Sequence, residues 1–249
     1  MADEDQIEGR NPVIEALRAG RAINVIYLAR QSPSGSLRAI VSLAAENGVP
    51  VQTVDRERLD RMATTRAHQG VIALASPKRY ADVDDLLELA ARRGEDPFLL
   101  LLDGIQDPQN LGSLLRTAEA AGVHGVVLPY RRSAGLTAAV GRASAGALEH
   151  VAVARVTNLS RTVEALKGKG LWIVAADQAG PSVYDRVSLR GPIAVVIGGE
   201  GKGVGPNLRS HCDLVVRLPM RGRVSSLNAA VAGAILLYEV VRQRGPEVE

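Results

Sequence analysis

Short apolar runs that alternate with helical segments are the feature that most restricts how this chain can fold. The run FLLLLD at residues 98–103 is almost continuously apolar, which is typical of a strand covered on both faces in a parallel sheet. Four further runs begin at Gly125, Gly170, Ile193 and Leu214, and segments with helical periodicity lie between most of them. At least five strands alternating with helices predict an α/β fold with a parallel sheet.

The first 76 residues predict a smaller α/β unit of their own. Strands are expected at residues 24–29, 51–54 and 70–75 with helices between them, so the sheet is predicted to be mainly parallel or mixed. The segment that follows is flanked by Pro and Gly and contains one amphipathic helix, which is typical of a connector. We therefore predict a first domain at residues 1–76, a linker at 77–97 and a second domain at 98–249.

The composition limits the partners that the chain can bind. Its 249 residues carry a formal net charge of +3, so an acidic polymer is permitted as a partner but not required. Only 3% of the residues are aromatic, which argues against base-stacking platforms of the RRM or OB type. An RNA-binding role would then depend on arginines, backbone groups and shape.

Cysteine, histidine and hydropathy patterns predict a cytoplasmic protein without a metal site. Cys212 is the only cysteine, which excludes an intramolecular disulfide and fits a reducing compartment. The four histidines show no metal-ligand spacing, and the acidic N-terminus has no apolar segment typical of a secretory signal. The apolar stretch from Ala229 to Leu237 is too short for a bilayer, which needs roughly 20 residues, so no membrane partner is expected.

Three polar clusters follow the predicted strands, at residues 103–110, 198–205 and 219–228. Parallel α/β sheets bind ligands at the carboxyl ends of their strands, so the clusters predict a site there. The middle cluster holds five glycines, which would let the backbone approach a ligand closely. Their spacing fits neither a phosphate-binding P-loop nor a dinucleotide fingerprint, so neither ATP nor NAD is predicted.

One arginine stands apart on the helix that follows the first cluster. Arg116 lies off the predicted buried stripe, which consists of Leu111, Leu114, Leu115 and Ala118. The small residues Gly112 and Ser113 stand one turn earlier and leave space for a ligand beside the arginine. An ordinary solvated arginine is the alternative interpretation.

The three clusters resemble, in order, the signature motifs of the SpoU (TrmH) family of RNA ribose 2′-O-methyltransferases, within the SPOUT superfamily. The first is DPQNLGSLLRTAEAAG, the second IGGEGKGV and the third RLPMRGRVSSLNAAVA. Near the start, RNPVIEAL and AHQGVIA are similar to bacterial 23S rRNA guanosine-2′-O-methyltransferases that modify the peptidyl-transferase region. The resemblance covers nearly the whole chain, and it departs at Gly141-Arg142, where a lysine-type residue is expected.

The resemblance implies a fold, a cofactor and partners. It implies a SPOUT-type parallel sheet with a trefoil knot in the second domain and a small α/β L30e-like fold that grips rRNA in the first. S-adenosylmethionine is the implied cofactor, 23S rRNA the implied substrate and a homodimer the implied assembly. Neither DNA nor a membrane is expected as a partner.

The resemblance also implies site residues. The catalytic candidates are Asn110, Arg116, Glu200, Ser226 and Asn228, and the cofactor is expected, largely on main-chain groups, at Ile197, Gly198, Gly199, Leu218, Pro219 and Leu227. Because a guanidinium stays protonated, we expect Arg116 to orient the 2′-hydroxyl and stabilise developing negative charge rather than act as a base. The asparagines suit orienting Arg116 or the ribose, and Glu200 suits pairing with Arg116 or organising its loop. Ser226 is expected to contact the ribose or to cap the last helix.

The predicted function is S-adenosylmethionine-dependent methylation of the ribose 2′-hydroxyl of a guanosine in 23S rRNA. A ribose methyltransferase that acts on tRNA, or on another rRNA nucleoside as in drug resistance, is one open alternative. A non-catalytic ribosome-assembly factor that binds rRNA and leaves its cofactor pocket unused is the other. The presence of all five catalytic candidates disfavours the second alternative.

Overall fold

The computed structural model describes residues 5–30, 35–65 and 67–245. Its contacts divide the chain into two compact units. The first unit comprises Met1–Arg79 together with Gly135–His150, and the second comprises Tyr80–Ala134 and Val151–Glu249. The sequence did not predict that Gly135–His150 would pack within the first unit, because this segment lies far along the chain from the rest of that unit.

The first unit is built on a four-stranded mixed sheet. Its strands are β1 (Asp5–Glu8), β2 (Ile23–Ala29), β3 (Val51–Val54) and β4 (Val71–Ala75), in the order β1-β4-β2-β3. Strand β3 runs parallel to β2, whereas β4 is antiparallel to both β1 and β2. The helices of residues 1–79 are α1 (Arg10–Arg18), α2 (Gly35–Glu46) and α3 (Arg56–Met62). The predicted mixed sheet is confirmed, with β1 as a strand that the sequence did not predict.

The second unit contains an all-parallel seven-stranded sheet. Helix α4 (Val83–Arg93) precedes β5 (Phe98–Asp103), α5 (Pro108–Ala120) and β6 (Gly125–Pro129). Helix α6 (Ala138–Ala143) lies in the segment that belongs to the first unit. The chain continues through β7 (Val153–Val156), α7 (Leu159–Gly168), β8 (Trp172–Ala176), β9 (Ser182–Val183), β10 (Ile193–Gly198), α8 (Pro206–His211), β11 (Leu214–Arg217) and α9 (Ala229–Arg244). The strand order is β7-β6-β5-β10-β8-β11-β9, and every pairing is parallel, which confirms the predicted fold class.

Aliphatic side chains fill the cores, as the low aromatic content predicts. In the second unit a cluster built on Leu99, Leu101, Ile173 and Val196 is fully buried, because β5, β8 and β10 are covered on both faces. A separate cluster in the first unit packs α1 and α2 on the sheet. The predicted stripe of α5 is also confirmed, since all four of its residues are 0% exposed. Burial of these apolar surfaces supplies the main stabilisation of each unit.

The segment Gly135–His150 is attached to the rest of the first unit by buried charges and a close approach. Arg21 donates to the Glu149 carboxylate at 2.8 Å, and both side chains are more than nine-tenths buried. Gly146 lies against α1 so closely that a Cβ there would come within 2.6 Å of the Glu15 side chain. Breaking a buried ion pair on one side costs about 3–5 kcal/mol, so the Arg21–Glu149 pair ties the segment firmly in place.

A buried carboxylate makes a second attachment of the same segment. Glu8 accepts hydrogen bonds from the Thr64 amide and hydroxyl at 2.6 Å each, and it forms an ion pair with Arg142 at 3.4 Å. Burial alone would raise the pKa of Glu8, but hydrogen bonds from Thr64, Thr65 and Gln6 outweigh it and lower the pKa. Glu8 therefore remains ionised and holds Arg142 beside β1.

Candidate functional site

The register of the second sheet brings the first two motifs together. Gly198, the last residue of β10, pairs with Asp103, the last residue of β5. Asp103 then fixes the glycine loop that follows β10: its backbone oxygen accepts from the Gly199 amide, and its carboxylate accepts from the Gly205 amide, each at 2.8 Å. The loop closes on itself through a 2.9 Å hydrogen bond from the Gly203 amide to the Gly199 oxygen. Asp103 therefore organises the loop from the neighbouring strand.

Two of the loop glycines are required by protein packing, a need that the sequence did not predict. A Cβ at Gly198 would lie 2.0 Å from the Gly203 carbonyl carbon, and one at Gly199 would lie 2.3 Å from the Gly104 oxygen. Neither contact is sterically possible, so both positions need glycine because two backbone segments cross there. Gly201 differs: a Cβ would meet open space, but its φ of +80° favours glycine.

A cavity of about 300 Å³ opens beside this loop at the carboxyl edge of the sheet. Five of the six predicted cofactor residues line it, namely Ile197, Gly198, Gly199, Leu218 and Leu227. Pro219 is exposed and is not part of its lining in the described chain. The sequence reasoning missed Ala176, Asp177 and Gln178, which line the cavity from the end of β8. The strand-end rule that selected the other clusters would have found these residues had it been applied to GLWIVAAD.

An acid–amide network joins the three motifs. The Asn110 amide donates to Glu200 Oε1 at 3.0 Å, and the Asn228 amide donates to the same oxygen at 2.6 Å. The Asn228 amide also donates to Asn110 Oδ1 at 2.8 Å. Asn110 is buried, whereas Glu200 and Asn228 are exposed, so the network runs from the core to the mouth of the cavity.

Asn228 has a second role that the sequence assigned to a different residue. Its side-chain oxygen accepts from the backbone amides of Ala230 and Val231, at 2.9 and 3.3 Å, and so caps α9. The expectation that Ser226 caps this helix is therefore wrong: α9 begins at Ala229, two residues later than that role requires. Ser226 is exposed and lines the cavity instead.

The structure does not bring Arg116 into the network. Its side chain is exposed on α5, and within the described chain it has neither a hydrogen bond nor an ion pair. The suggested pairing of Glu200 with Arg116 is therefore absent from the described residues, and Glu200 binds the two asparagines instead. Arg116 remains available for a ligand.

A second, shallower depression of about 300 Å³ adjoins the cavity. Its lining consists of Glu200, Gly201, Ser226, Leu227 and Asn228. Four of these five residues also line the first cavity, so Glu200, Gly201, Ser226 and Leu227 separate the two spaces. The arrangement can hold two ligands side by side, with the acid–amide network facing the shallower space.

The residues that the structure describes offer neither a metal centre nor a membrane-spanning helix. No group of three or more His, Cys, Asp or Glu side chains among them is arranged to hold a metal ion. None of the helices that the structure describes is both long enough and apolar enough to cross a bilayer.

A parallel sheet with adjoining ligand spaces at its carboxyl edge, and a separate α/β unit, fits the class of enzymes that bring a cofactor to a second substrate. Comparison with known proteins gives the family. Residues 97–238 match the model of the SpoU rRNA Methylase family, and residues 6–81 match a model described as RNA 2′-O ribose methyltransferase substrate binding.

Individual relatives agree with these family matches. YacO of Bacillus subtilis, whose name places it in the TrmH family of tRNA/rRNA methyltransferases, is 45% identical over 242 residues, which is 97% of each chain. The SpoU methyltransferase AviRb from Streptomyces viridochromogenes, solved in complex with AdoMet, superposes with a TM-score of 0.80 at 27% identity, over 96% of this chain and 90% of its own. An AdoMet-bound rRNA methyltransferase from Sinorhizobium meliloti gives 0.79 at 25% identity, over 96% and 87%.

The chain belongs to the SpoU (TrmH) family and is an RNA 2′-O-ribose methyltransferase that uses S-adenosylmethionine.

Proposed function

We propose that the chain methylates the ribose 2′-hydroxyl of a guanosine in the peptidyl-transferase region of 23S rRNA. The observation that carries the reaction is the Asn110–Glu200–Asn228 network beside the cavity, since it joins the three motifs by which the chain resembles the family. The choice of a 23S rRNA guanosine rests on the resemblance of RNPVIEAL and AHQGVIA to enzymes of that specificity. The Sinorhizobium relative bears the name of an rRNA methyltransferase, which supports rRNA over tRNA. Residues 1–76 would bind the RNA, residues 77–97 would connect, and residues 98–249 would carry the reaction.

The cavity beside the glycine loop has the properties that S-adenosylmethionine needs. Its apolar side chains Ile197, Leu218 and Leu227 suit a neutral adenine, and the glycine loop offers main-chain donors and acceptors. A volume of about 300 Å³ lies at the lower end of the usual range for small-molecule sites. When bound, the cofactor supplies an electrophilic methyl group on its sulfonium. The protein then has to position the ribose and accommodate the charge that develops on its oxygen.

The shallower depression suits the ribose of the target nucleotide. Glu200 Oε1 takes both asparagine amides, which leaves Oε2 available to accept a hydrogen bond from a ribose hydroxyl. Ser226 at the boundary between the two spaces would contact the same ribose. We assign Arg116 to the reacting oxygen and its neighbouring phosphate, because a free guanidinium stabilises negative charge without giving up its proton.

Labelled methyl transfer tests the proposal directly. S-adenosylmethionine carrying a labelled methyl group is incubated with 23S rRNA, 16S rRNA and tRNA in parallel, and we expect label in 23S rRNA alone. A 2′-O-methyl group removes the nucleophile that alkali uses to cut the adjacent linkage. The product should therefore show one new alkali-resistant linkage, after a guanosine. Label confined to tRNA would favour the alternative substrate, and label on a base atom would contradict ribose methylation.

A non-catalytic assembly role, the second alternative from the sequence, is disfavoured by the geometry of the site. In that case the cavity would have no need of a preorganised network, yet Asn110 is buried with both amide atoms engaged. Wild-type protein that binds 23S rRNA but transfers no label to it, to an assembling particle or to tRNA would support the alternative.

We also propose that the protein is a homodimer with α9 at its interface. One side of α9 packs on α5, where a Cβ at Gly233 would lie 2.4 Å from Leu114. Its opposite side exposes Val231, Tyr238 and Val241, at 48%, 51% and 37%. Light scattering should give twice the chain mass, and Tyr238→Lys should shift the protein toward the monomer. A monomeric wild type at micromolar concentration would contradict the proposal.

A further inference from the structure

An exposed aromatic side chain stands at the edge of the sheet that carries the site. Tyr130 follows β6 directly and is 61% exposed. Val127 of β6 pairs with Leu101, and Leu102 pairs with Ile197, so the ends of β6, β5 and β10 lie level with one another. Only β5 separates β6 from β10, which places the two strand ends roughly 10 Å apart.

The Tyr130 ring is held in place from behind. The Arg155 guanidinium lies over the ring, 4.2 Å from its centroid, and an Arg155 nitrogen donates to the Tyr130 backbone oxygen at 3.1 Å. The same guanidinium lies 5.2 Å from the ring centroid of Tyr80. With one ring face covered and most of the residue exposed, the other face of Tyr130 is open to solvent. Such a ring binds a flat partner without losing rotamer freedom.

Two cations follow Tyr130 on a loop that is anchored to the site. Arg131 and Arg132 are exposed, and neither has an acidic partner among the residues that the structure describes. Arg132 has a φ of +60°, which a non-glycine residue adopts only at a cost. The Ala134 amide donates to the Ile105 oxygen at 2.9 Å, which attaches the loop to the segment leading into α5.

We propose that Tyr130, Arg131 and Arg132 form a platform for an unpaired nucleotide of the RNA substrate next to the methylated one. A nucleobase stacks on the open face of Tyr130, and the two guanidinium groups bind the phosphates on either side. Stacking and cation–phosphate contacts are the combination by which proteins hold single-stranded RNA. The platform deepens the proposed function and rests on it. The low aromatic content predicted that RNA would be bound through arginines, backbone groups and shape. In the platform, the Tyr130 ring, supported by Arg155, also takes part in RNA binding.

Steady-state methyl transfer to 23S rRNA tests the platform. We expect Tyr130→Ala to raise the KM for RNA about 5- to 150-fold, the range that corresponds to one lost base stack, with a smaller effect on kcat. Tyr130→Phe keeps the stacking face and should remain near wild type. Trp172 is the matched control: it is 57% exposed but begins β8, at the opposite edge of the sheet, so Trp172→Ala should leave the KM unchanged. An unchanged KM in Tyr130→Ala would overturn the platform and leave the proposed function intact.

A binding measurement separates the two proposals even if no methyl transfer is found. Trp172 is the only tryptophan, so the double variant Trp172→Phe, Tyr130→Trp carries a single reporter at the platform. A single-stranded oligoribonucleotide should quench its fluorescence saturably, and Arg131→Ala with Arg132→Ala should lower the slope of log affinity against log salt by about 1–2. Absence of saturable quenching would overturn the platform whatever the methyl-transfer result.

Discussion

Replacing Gly199 with alanine tests why the loop after β10 carries glycine at this position. Two explanations make different predictions. If glycine is present so that the cofactor can approach the backbone, the variant should fold normally and bind S-adenosylmethionine poorly. If glycine is present because two protein segments cross, the variant should be less stable before any ligand is added. The structure favours the second explanation.

The expected loss of stability follows from the contacts of the added carbon. A Cβ at position 199 would lie 2.3 Å from the Gly104 oxygen, whereas Cβ atoms do not come closer than 3.0 Å to such atoms. The two backbones must therefore separate, which weakens the 2.8 Å hydrogen bond from the Gly199 amide to Asp103. Overpacking costs about 1–3 kcal/mol and the lost hydrogen bond about 1 kcal/mol, so the total is roughly 2–4 kcal/mol.

Thermal unfolding of the ligand-free protein is the decisive assay. For a chain of this size, we expect Gly199→Ala to lower the Tm by about 4–16 °C. Gly222→Ala is the matched control, since its Cβ would meet nothing within 4 Å and its φ is not left-handed. Gly201→Ala also meets nothing, but its φ of +80° should cost about 1–2 kcal/mol. The packing explanation is refuted if ligand-free Gly199→Ala melts within about 1 °C of wild type while its cofactor affinity falls.

Three further predictions concern single side chains. Arg116→Ala should lower single-turnover methyl transfer about 100-fold or more with cofactor binding intact, and Arg116→Lys should not restore it; a wild-type rate would make Arg116 an ordinary surface residue. Burial lowers the pKa of His124 despite its contact with Glu95, so the unfolded chain binds more protons and stability should fall as pH drops below about 6.5. His124→Gln should flatten that dependence in urea midpoints at acidic and neutral pH; an equal slope would exclude His124 as its source. Burial raises the pKa of Cys212 to about 11, so iodoacetamide at pH 8 should label it about 100-fold more slowly than a free thiol, as followed by mass spectrometry; comparable rates would show that the thiol is accessible.

The fold was predictable wherever a run of apolar residues was long enough to identify a strand. The five predicted strands of the second unit are all present, and the parallel arrangement follows from their alternation with helices. The strands that the sequence missed are β1, β7 and β9, whose short sequences DQIE, VARV and SV lie at the edges of their sheets. These strands form because the neighbouring strand in the sheet provides hydrogen-bonding partners at its edge. A short stretch of sequence does not contain that information.

The sequence predicted which residues form the site but not the contacts between them. The strand-end rule and the family motifs together selected Asn110, Glu200 and Asn228, which the structure joins in one network. The need for glycine at position 199 arises from Gly104, which lies on another strand's loop. Asn228 rather than Ser226 caps α9, because the local sequence does not determine at which residue the loop ends and the helix begins. Such long-range and boundary effects are decided by tertiary packing.

The assignment of Gly135–His150 to the first unit has a consequence for synthesis on the ribosome. Arg21 and Glu8 acquire Glu149 and Arg142 as partners only when that segment has been made, 71 residues after Arg79. At typical elongation rates this delay lasts roughly 4–14 s. During that interval the N-terminal unit has its sheet, and Arg21 has Asp5 as one partner, but Arg21 lacks its second carboxylate and Glu8 lacks its counter-charge. Its final closure therefore waits for the chain to pass through β5, α5 and β6 of the other unit.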